Sequence, residues 1–105
     1  MKSLLFVGSS LDDLRDFPAE ARRQAGFELD GVQRGFEPTD WKPMSDIGHG
    51  VKEIRIHELG EYRVIYVAKF ASAIYVLHAF AKKTRKTSQS DIDLARLRYK
   101  QLGGL

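Results

Sequence analysis

The chain has 105 residues, of which 43% are hydrophobic and 30% are charged, and it contains no cysteine. This composition is that of a folded globular protein, and the length suffices for a single domain over residues 1–105 but not for two. The missing cysteines exclude disulfides, thiolate metal sites and cysteine nucleophiles, which fits a reducing compartment.

Charge is distributed unevenly along the chain. Residues 1–50 carry six Lys/Arg and nine Asp/Glu, whereas residues 51–105 carry eleven and five, so the halves have formal charges of −3 and +6. A basic half of this kind is typical of a surface that binds nucleic acid, although moderate basicity is also common in proteins without that function.

Residues 3–8 predict a short first strand. The apolar run at this point is too short for a signal peptide or a membrane span, so we expect a cytoplasmic protein without a membrane segment. The run Gly8-Ser9-Ser10 breaks the strand, and Ser9 is the predicted N-cap of a first helix.

A second helix is predicted to start at Pro18, because proline lacks the N–H that would be unpaired at a first helical position. Its apolar residues recur at helical spacing: Ala21, Ala25, Leu29 and Val32. Gly35 is predicted to end it, and we expect the two helices to form an antiparallel pair that covers one sheet face. Residues 36–50 lack a period and predict a long loop, whose Trp41 is expected to fill the core.

From Val51 the apolar period changes to two. The segments Val51–His57, 62–70 and 74–81 are separated by short turns and predict three consecutive antiparallel strands. Along the first of them, Lys52, Ile54 and Ile56 share one side, and half of the strand is expected to face water.

The final helix is predicted to begin near Ser88 or Ser90 and to end at Gly103-Gly104. Its predicted apolar face consists of Ile92, Ala95, Tyr99 and Leu102. The predicted fold is therefore a small α+β domain in the order strand, two helices, three antiparallel strands and helix, with the helix pair packed on one twisted sheet.

Cations follow the last predicted strand directly, since residues 82–86 read Lys-Lys-Thr-Arg-Lys. Side chains on a strand, or directly after it, are held more rigidly than those of an isolated basic tail, so they can bind phosphates in a fixed geometry. The alternative interpretation is that these basic residues form a solvated loop, as clusters of charged residues usually do.

Four segments carry a family resemblance: Trp41-Lys42-Pro43-Met44, Gly50-Val51-Lys52-Glu53-Ile54-Arg55, Glu61-Tyr62-Arg63-Val64-Ile65-Tyr66 and Leu77-His78-Ala79-Phe80-Ala81-Lys82-Lys83-Thr84. In this order and spacing they resemble the RelE/ParE superfamily of bacterial toxin–antitoxin toxins, and within it the phage-derived, HigB-like branch. The resemblance covers nearly the whole chain.

The resemblance implies a function, because ribosome-dependent members of the superfamily cut mRNA in the A site of the 30S subunit without a metal. They use basic residues on the concave face of a small sheet. By position, the implied catalytic residues are Arg63, Arg55, Lys82 and His78, and the implied RNA-binding residues are Lys83, Arg85, Lys86 and His57. RelE places a tyrosine, its proposed base, where this chain has none between Lys82 and Asp91, and Tyr99 lies too far along the helix to replace it. The general base is therefore left unassigned.

Physical chemistry supports these residue types and also offers structural alternatives. Arginine binds phosphate with a planar, always charged fork, yet Arg63 could instead form a salt bridge with Glu61 or Glu53. Imidazole titrates near neutral pH, so His57 and His78 are candidate acid/base groups. A structural role for His78 and a solvent-exposed strand end for His57 are the alternatives. Tyr62, Tyr66 and the loop residue His49 are interpreted as structural or incidental.

The sequence shows no Ser-His-Asp order, phosphate-binding loop or close metal-ligand spacing, so we predict neither a metal nor another cofactor. The resemblance further implies a cognate antitoxin with a helix-turn-helix DNA-binding domain, joined to the toxin in a hetero-oligomer. The predicted function is that of a toxin that cleaves mRNA on the ribosome and thereby inhibits translation. A ParE-like inhibitor of DNA gyrase and an RNA-binding module without catalysis are the alternatives.

Overall fold

A mixed five-stranded sheet organises residues 1–103, the part of the chain that this computed structural model describes. Its strands are β1 (Ser3–Phe6), β2 (Trp41–Pro43), β3 (Val51–His57), β4 (Glu61–Val67) and β5 (Ala73–Ala81), in the spatial order β1-β5-β4-β3-β2. β1 pairs parallel with β5, and the other neighbours are antiparallel. The helices are α1 (Ser10–Arg15), α2 (Ala19–Gln33) and α3 (Gln89–Lys100). This architecture confirms the predicted small α+β fold and its three consecutive antiparallel strands.

The hairpin between β3 and β4 fixes which side chains meet across the sheet. Leu59 and Gly60 both have positive φ angles, 58° and 137°, which lets the chain reverse within a few residues. The resulting register places Arg55 opposite Arg63. Because side chains alternate along a strand, this register decides the composition of both sheet faces.

One face of the sheet is covered by α1 and α2, as predicted. The apolar residues of α2 at helical spacing are all buried, and the first two are alanines, which allow the helix to approach the sheet closely. They pack against the inner residues of β3, β4 and β5, namely Ile54, Ile56, Val64, Tyr66, Ile74, Val76 and Ala79. Tyr66 is fully buried, which raises the pKa of its hydroxyl, and Tyr62 packs at the margin with its ring centroid 4.8 Å from that of Phe17. Both tyrosines are packing residues, as the sequence indicated.

The second face of the sheet is covered over part of its area by α3, so the prediction that half of β3 faces water was wrong. Val51 and Glu53 are buried on this face, with 2% and 0% of their surfaces exposed. The covering residues come from α3, from the chain just after it and from the segment after β2: Ala95, Leu102, Met44 and Ile47. The approach is close, because a Cβ on Gly48 would lie 2.4 Å from the ring of Tyr99. Only the end of the face near Arg55 and His57 stays accessible.

The segment 36–50 contains a strand that the sequence did not predict. β2 pairs with β3 and aligns Lys42 with Glu53, but a three-residue strand is too short to show an alternating pattern. The expectation for Trp41 was also wrong. Its ring is only partly buried and outside both hydrophobic clusters of residues 1–103, and the ammonium of Lys52 lies 4.6 Å from the ring centroid.

Most helix boundaries follow their local signals. Ser88 caps α3 by accepting a hydrogen bond from the amide of Asp91 at 3.2 Å, and Gly35 follows α2 with a φ of 93°. Pro18 is the N-cap of α2 and not its first helical residue. Ser9 stands at the N-cap of α1, but its hydroxyl donates to the Asp13 side chain at 2.8 Å and caps no amide. Of the predicted stop Gly103-Gly104, the second glycine lies outside the described residues, and no helix within residues 1–103 is long and apolar enough to cross a membrane.

Candidate functional site

Cations from β2, β3 and β4, and from the residue that follows β5, meet at the open end of the second sheet face. Arg55 on β3 and Arg63 on β4 are direct cross-strand partners, and the amide of Lys82 donates to the carbonyl of Glu61 at 2.8 Å as the chain leaves β5. Lys42 on β2 completes the set through its pairing with β3. We refer to Lys42, Arg55, Arg63 and Lys82 as the cationic face.

A buried carboxylate lies at the centre of the cationic face. Glu53 is 0% exposed, and its Oε2 accepts a hydrogen bond from the hydroxyl of Thr87 at 2.8 Å. Its Oε1 lies 3.7 Å from Nε of Arg63 and 4.0 Å from Nζ of Lys42. An ionised carboxylate is stable in such a position only beside positive charge, so Glu53 balances part of the charge of the cationic face.

Arg63 is held in one orientation by its neighbours. Its guanidinium donates to the carbonyl of Tyr62 at 2.9 Å and to the carboxylate of Glu61 at 3.1 Å. The salt bridges to Glu61 and Glu53 that the sequence offered as an alternative are thus both present, the second at 3.7 Å. The side chain of Arg63 is only 6% exposed, whereas that of Glu61 is 45% exposed, so little of the guanidinium surface is open to an anion.

Lys82 has an unusual electrostatic environment. Burial lowers the pKa of its ammonium, and the positive charges of Arg63, Lys42 and Arg55 lower it further, against a partial offset from Glu53. Like charges close together disfavour protonation, and here they add to the larger effect of burial. A lysine of this kind releases its proton more readily than a solvated one.

His57 lies at the edge of the cationic face between two carboxylates. Its Nε2 is 2.7 Å from Asp40 and its Nδ1 is 2.8 Å from Glu61. These hydrogen bonds, first that of Asp40 and then that of Glu61, raise the pKa of the imidazole. The alternative interpretation of His57, a strand end in water, agrees with its exposure, but both ring nitrogens have acidic partners.

His78 has a different environment, with only 7% of its side chain exposed. Its Nε2 is 2.6 Å from a carboxylate oxygen of Asp91, in the first turn of α3, and its ring stacks on Phe80 at 4.7 Å between centroids. The register shift between β4 and β5 at Ile65/Tyr66 brings His78 opposite Ile65, on the side of α3. The contacts of His78 therefore connect the end of the sheet to the last helix.

The remaining predicted cations are not part of the cationic face. Lys83 borders a surface cleft together with Asp13 and Asp16, at the α1 side of the sheet. Arg85 and Lys86 are exposed in the connection between β5 and α3, and among residues 1–103 their side chains form no ion pair within 4.0 Å. They form a separate, solvent-facing basic segment beyond the sheet.

Sequence reasoning missed two members of this site. Lys42 lies in a segment without a period, so nothing in its neighbourhood indicated a strand. Glu53 was considered only as a partner of Arg63, although a glutamate on the same strand face as Val51 and Arg55 is a signal for burial beside a cation. Within the described residues, no three His, Asp or Glu side chains are grouped so as to hold a metal ion.

The small α+β architecture, a mixed five-stranded sheet with three helices, is consistent with a RelE-like fold. The model of the phage-derived Gp49-like protein family (DUF891) matches residues 12–100. The chain therefore belongs to the Gp49-like family, which is a RelE/ParE-like toxin family. Among curated proteins, none matches this chain.

Proposed function

We propose that this protein is the toxin of a type II toxin–antitoxin system and inhibits translation by cleaving mRNA on the ribosome. Within the RelE/ParE superfamily we assign it to the HigB-like branch. The observation that carries the proposal is the cationic face: Lys42, Arg55 and Arg63 lie on neighbouring strands, Lys82 follows β5, and the buried Glu53 lies within 4.0 Å of Lys42 and Arg63. A rigid group of cations on a sheet suits a phosphodiester whose charge increases during a reaction.

The reaction begins when a ribose 2′-hydroxyl attacks the adjacent phosphorus and loses its proton to water, since no side chain is assigned as the general base. A bond from phosphorus to the 2′-oxygen forms, the bond to the 5′-oxygen breaks, and the products are a 2′,3′-cyclic phosphate and a 5′-hydroxyl. The pentacoordinate intermediate carries additional negative charge, which Arg63 and Arg55 are placed to stabilise from adjacent positions. Fixed donors of this kind each contribute about 10²- to 10³-fold in rate.

Lys82 supplies the proton for the leaving group in this scheme. Its lowered pKa makes the ammonium a better acid than an ordinary lysine, and the nearby charge of Arg63 supports a role for Lys82 at the same phosphate. Transfer of that proton to the departing 5′-oxygen avoids the release of a free alkoxide. His78 positions the end of β5 in this proposal, because its ring is held by Asp91 and covered by Phe80.

The exposed basic segment serves affinity for the substrate. Lys83, Arg85 and Lys86 extend the positive surface beyond the sheet, where they are free to contact ribosomal RNA or the mRNA backbone. A toxin requires neutralisation in its own cell, so we further propose a cognate antitoxin with a helix-turn-helix domain that binds this protein in a hetero-oligomer.

Mapping of 5′ ends on cellular transcripts after induction tests the proposed function. We expect wild-type protein to produce new ends within reading frames and Arg63→Lys, which keeps the charge but loses the planar fork, to produce few or none. Arg34→Lys is the matched control, since Arg34 forms only an exposed ion pair with Asp30 on α2. Intact transcripts during growth arrest would exclude cleavage, and DNA damage without new mRNA ends would favour inhibition of gyrase.

A further inference from the structure

The side chain of His57 connects two carboxylates that come from different parts of the chain. Asp40 precedes β2 and contacts Nε2, while Glu61 begins β4 and contacts Nδ1. Because the carboxylates contact opposite edges of the ring, they cannot converge with it on a single metal ion. The arrangement is a linear acidic bridge through one imidazole.

Only the protonated ring satisfies this geometry. A neutral imidazole has one N–H donor and one lone-pair acceptor, so one of its nitrogens would face a carboxylate with lone pair against lone pair. The imidazolium has two donors and satisfies both carboxylates at 2.7 and 2.8 Å. Deprotonation must therefore break at least one of the two contacts, and the raised pKa of His57 agrees with this geometry.

Each of the two carboxylates also has an arginine of the cationic face as a neighbour. Asp40 lies 3.8 Å from Nη1 of Arg55, and Glu61 lies 3.1 Å from Nη2 of Arg63. The groups form a continuous chain of alternating charge that runs Arg55, Asp40, His57, Glu61, Arg63. A carboxylate that loses His57 is left with an arginine as its remaining cation.

We propose that His57 is a positioning residue that, when it is protonated, shares Asp40 and Glu61 with Arg55 and Arg63 and so weakens the hold of the two carboxylates on the arginines. When His57 is neutral, the arginines are the remaining cations of this chain of charges, so the carboxylates compete more strongly with an RNA phosphate. This inference rests on the proposed function only in so far as the arginines bind phosphodiesters; it requires no cleavage. The result is RNA affinity that depends on pH through one surface histidine.

The surrounding charges set the size of the effect. The other titratable groups at this end of the sheet are Glu58 in the hairpin, Lys82 after β5, Lys42 on β2 and the buried Glu53. The net formal charge of this group is +1 when His57 is neutral, from four cations (Lys42, Arg55, Arg63 and Lys82) and three carboxylates (Asp40, Glu53 and Glu61). Protonation of His57 raises the net charge to +2. One further charge a few ångströms from a phosphate, in partly hydrated surroundings, changes affinity by about three- to tenfold.

Binding of a 2′-O-methyl RNA oligonucleotide measures this effect directly, because that probe presents phosphodiesters but lacks the attacking hydroxyl. Fluorescence anisotropy titrations from about pH 5.5 to about pH 8.5 bracket the titration range of histidine, while the phosphodiesters stay anionic throughout. We expect wild-type affinity to fall about three- to tenfold as pH rises through the pKa of His57. His57→Gln should bind with the weaker, high-pH affinity at every pH.

His49→Gln is the matched control, because His49 is an exposed histidine whose side chain forms no hydrogen bond or ion pair within residues 1–103. It should retain the wild-type pH profile. A second variant, Asp40→Asn, should lower the pKa of His57 measured by NMR, since the hydrogen bond of Asp40 is the largest cause of its elevation. Histidine NMR also confirms that each variant is folded.

Three results would overturn the inference: a wild-type pH profile in His57→Gln, a measured pKa for His57 no higher than the ordinary histidine value of about 6.5, or no binding of the probe at any pH. These outcomes are distinct from failure of the proposed function. A protein that binds the probe with the expected pH profile but never cleaves mRNA would retain the positioning role of His57 and lose the nuclease. A protein that cleaves mRNA but binds the probe independently of pH would retain the proposed nuclease function and lose the positioning role of His57.

Discussion

Replacement of Glu53 by glutamine removes the charge at the centre of the cationic face and preserves the shape of the side chain. Glu53 is fully buried and lies 3.7 Å from Arg63 and 4.0 Å from Lys42. Removal of one partner from a buried ion pair costs about 3–5 kcal/mol of folding free energy. Arg63 keeps its contact with Glu61, and Lys42 is 38% exposed, so we expect the smaller loss of about 2–3 kcal/mol.

Urea unfolding followed by the fluorescence of Trp41, the only tryptophan, measures this loss. With a slope of about 1.5 kcal/mol per molar urea, the midpoint of Glu53→Gln should fall by roughly 1–2 M. Glu58→Gln is the matched control, because it makes the same chemical change at a hairpin residue that has no ion pair within 4.0 Å among residues 1–103. It should shift the free energy of unfolding by less than about 0.5 kcal/mol. Equal effects of the two substitutions would refute the view that Glu53 balances the cationic face.

Further predictions concern charge, pH and packing. Lys42→Gln should weaken RNA binding and reduce the slope of log affinity against log salt by about one, as measured by anisotropy at several salt concentrations. The free energy of unfolding should decline by less than about 1 kcal/mol as pH rises through the raised pKa of His57. The imidazolium stabilises the folded state fully only at pH values below the pKa of histidine in the unfolded chain, which is about 6.5. Urea unfolding at several pH values measures this decline, which should be absent in His57→Gln. Gly48→Ala should destabilise by about 1–3 kcal/mol in thermal unfolding, since the new Cβ meets the ring of Tyr99, whereas Gly26→Ala on the open side of α2 should be neutral or stabilising.

The sequence predicts those parts of the fold that have a local signal. The apolar spacing of α2, the cap at Ser88 and the alternation along β3 and β4 each report on neighbouring residues, and each corresponds to an observed element. β2 has three residues and forms only because β3 offers a free edge, so its existence depends on the tertiary structure. The burial of Val51 follows in the same way from the packing of α3 on the sheet, which periodicity alone does not reveal.

The candidate site, like the fold, is predictable only where the signal is local in the sequence. A two-residue period and a short hairpin are sufficient to place Arg55 beside Arg63, and the structure brings them together as direct partners. Of the two acidic partners of His57, Glu61 follows from the same hairpin register. Asp40 could not be predicted, because it reaches His57 from seventeen residues earlier in the chain, across β2 and β3. Long-range contacts of this kind determine how accessible Arg55 and Arg63 are. The position of the two arginines on the sheet, in contrast, follows from the local sequence pattern.

The most direct test of the account is the chemistry of mRNA ends produced on purified translating ribosomes. If cations on the sheet stabilise phosphodiester cleavage by a 2′-oxygen, wild-type protein will cut the mRNA and leave a 2′,3′-cyclic phosphate beside a 5′-hydroxyl. Arg63→Lys will then do so about 10²- to 10³-fold more slowly. Intact mRNA on ribosomes stalled by the wild-type protein, or equal cleavage by both proteins, would contradict the account.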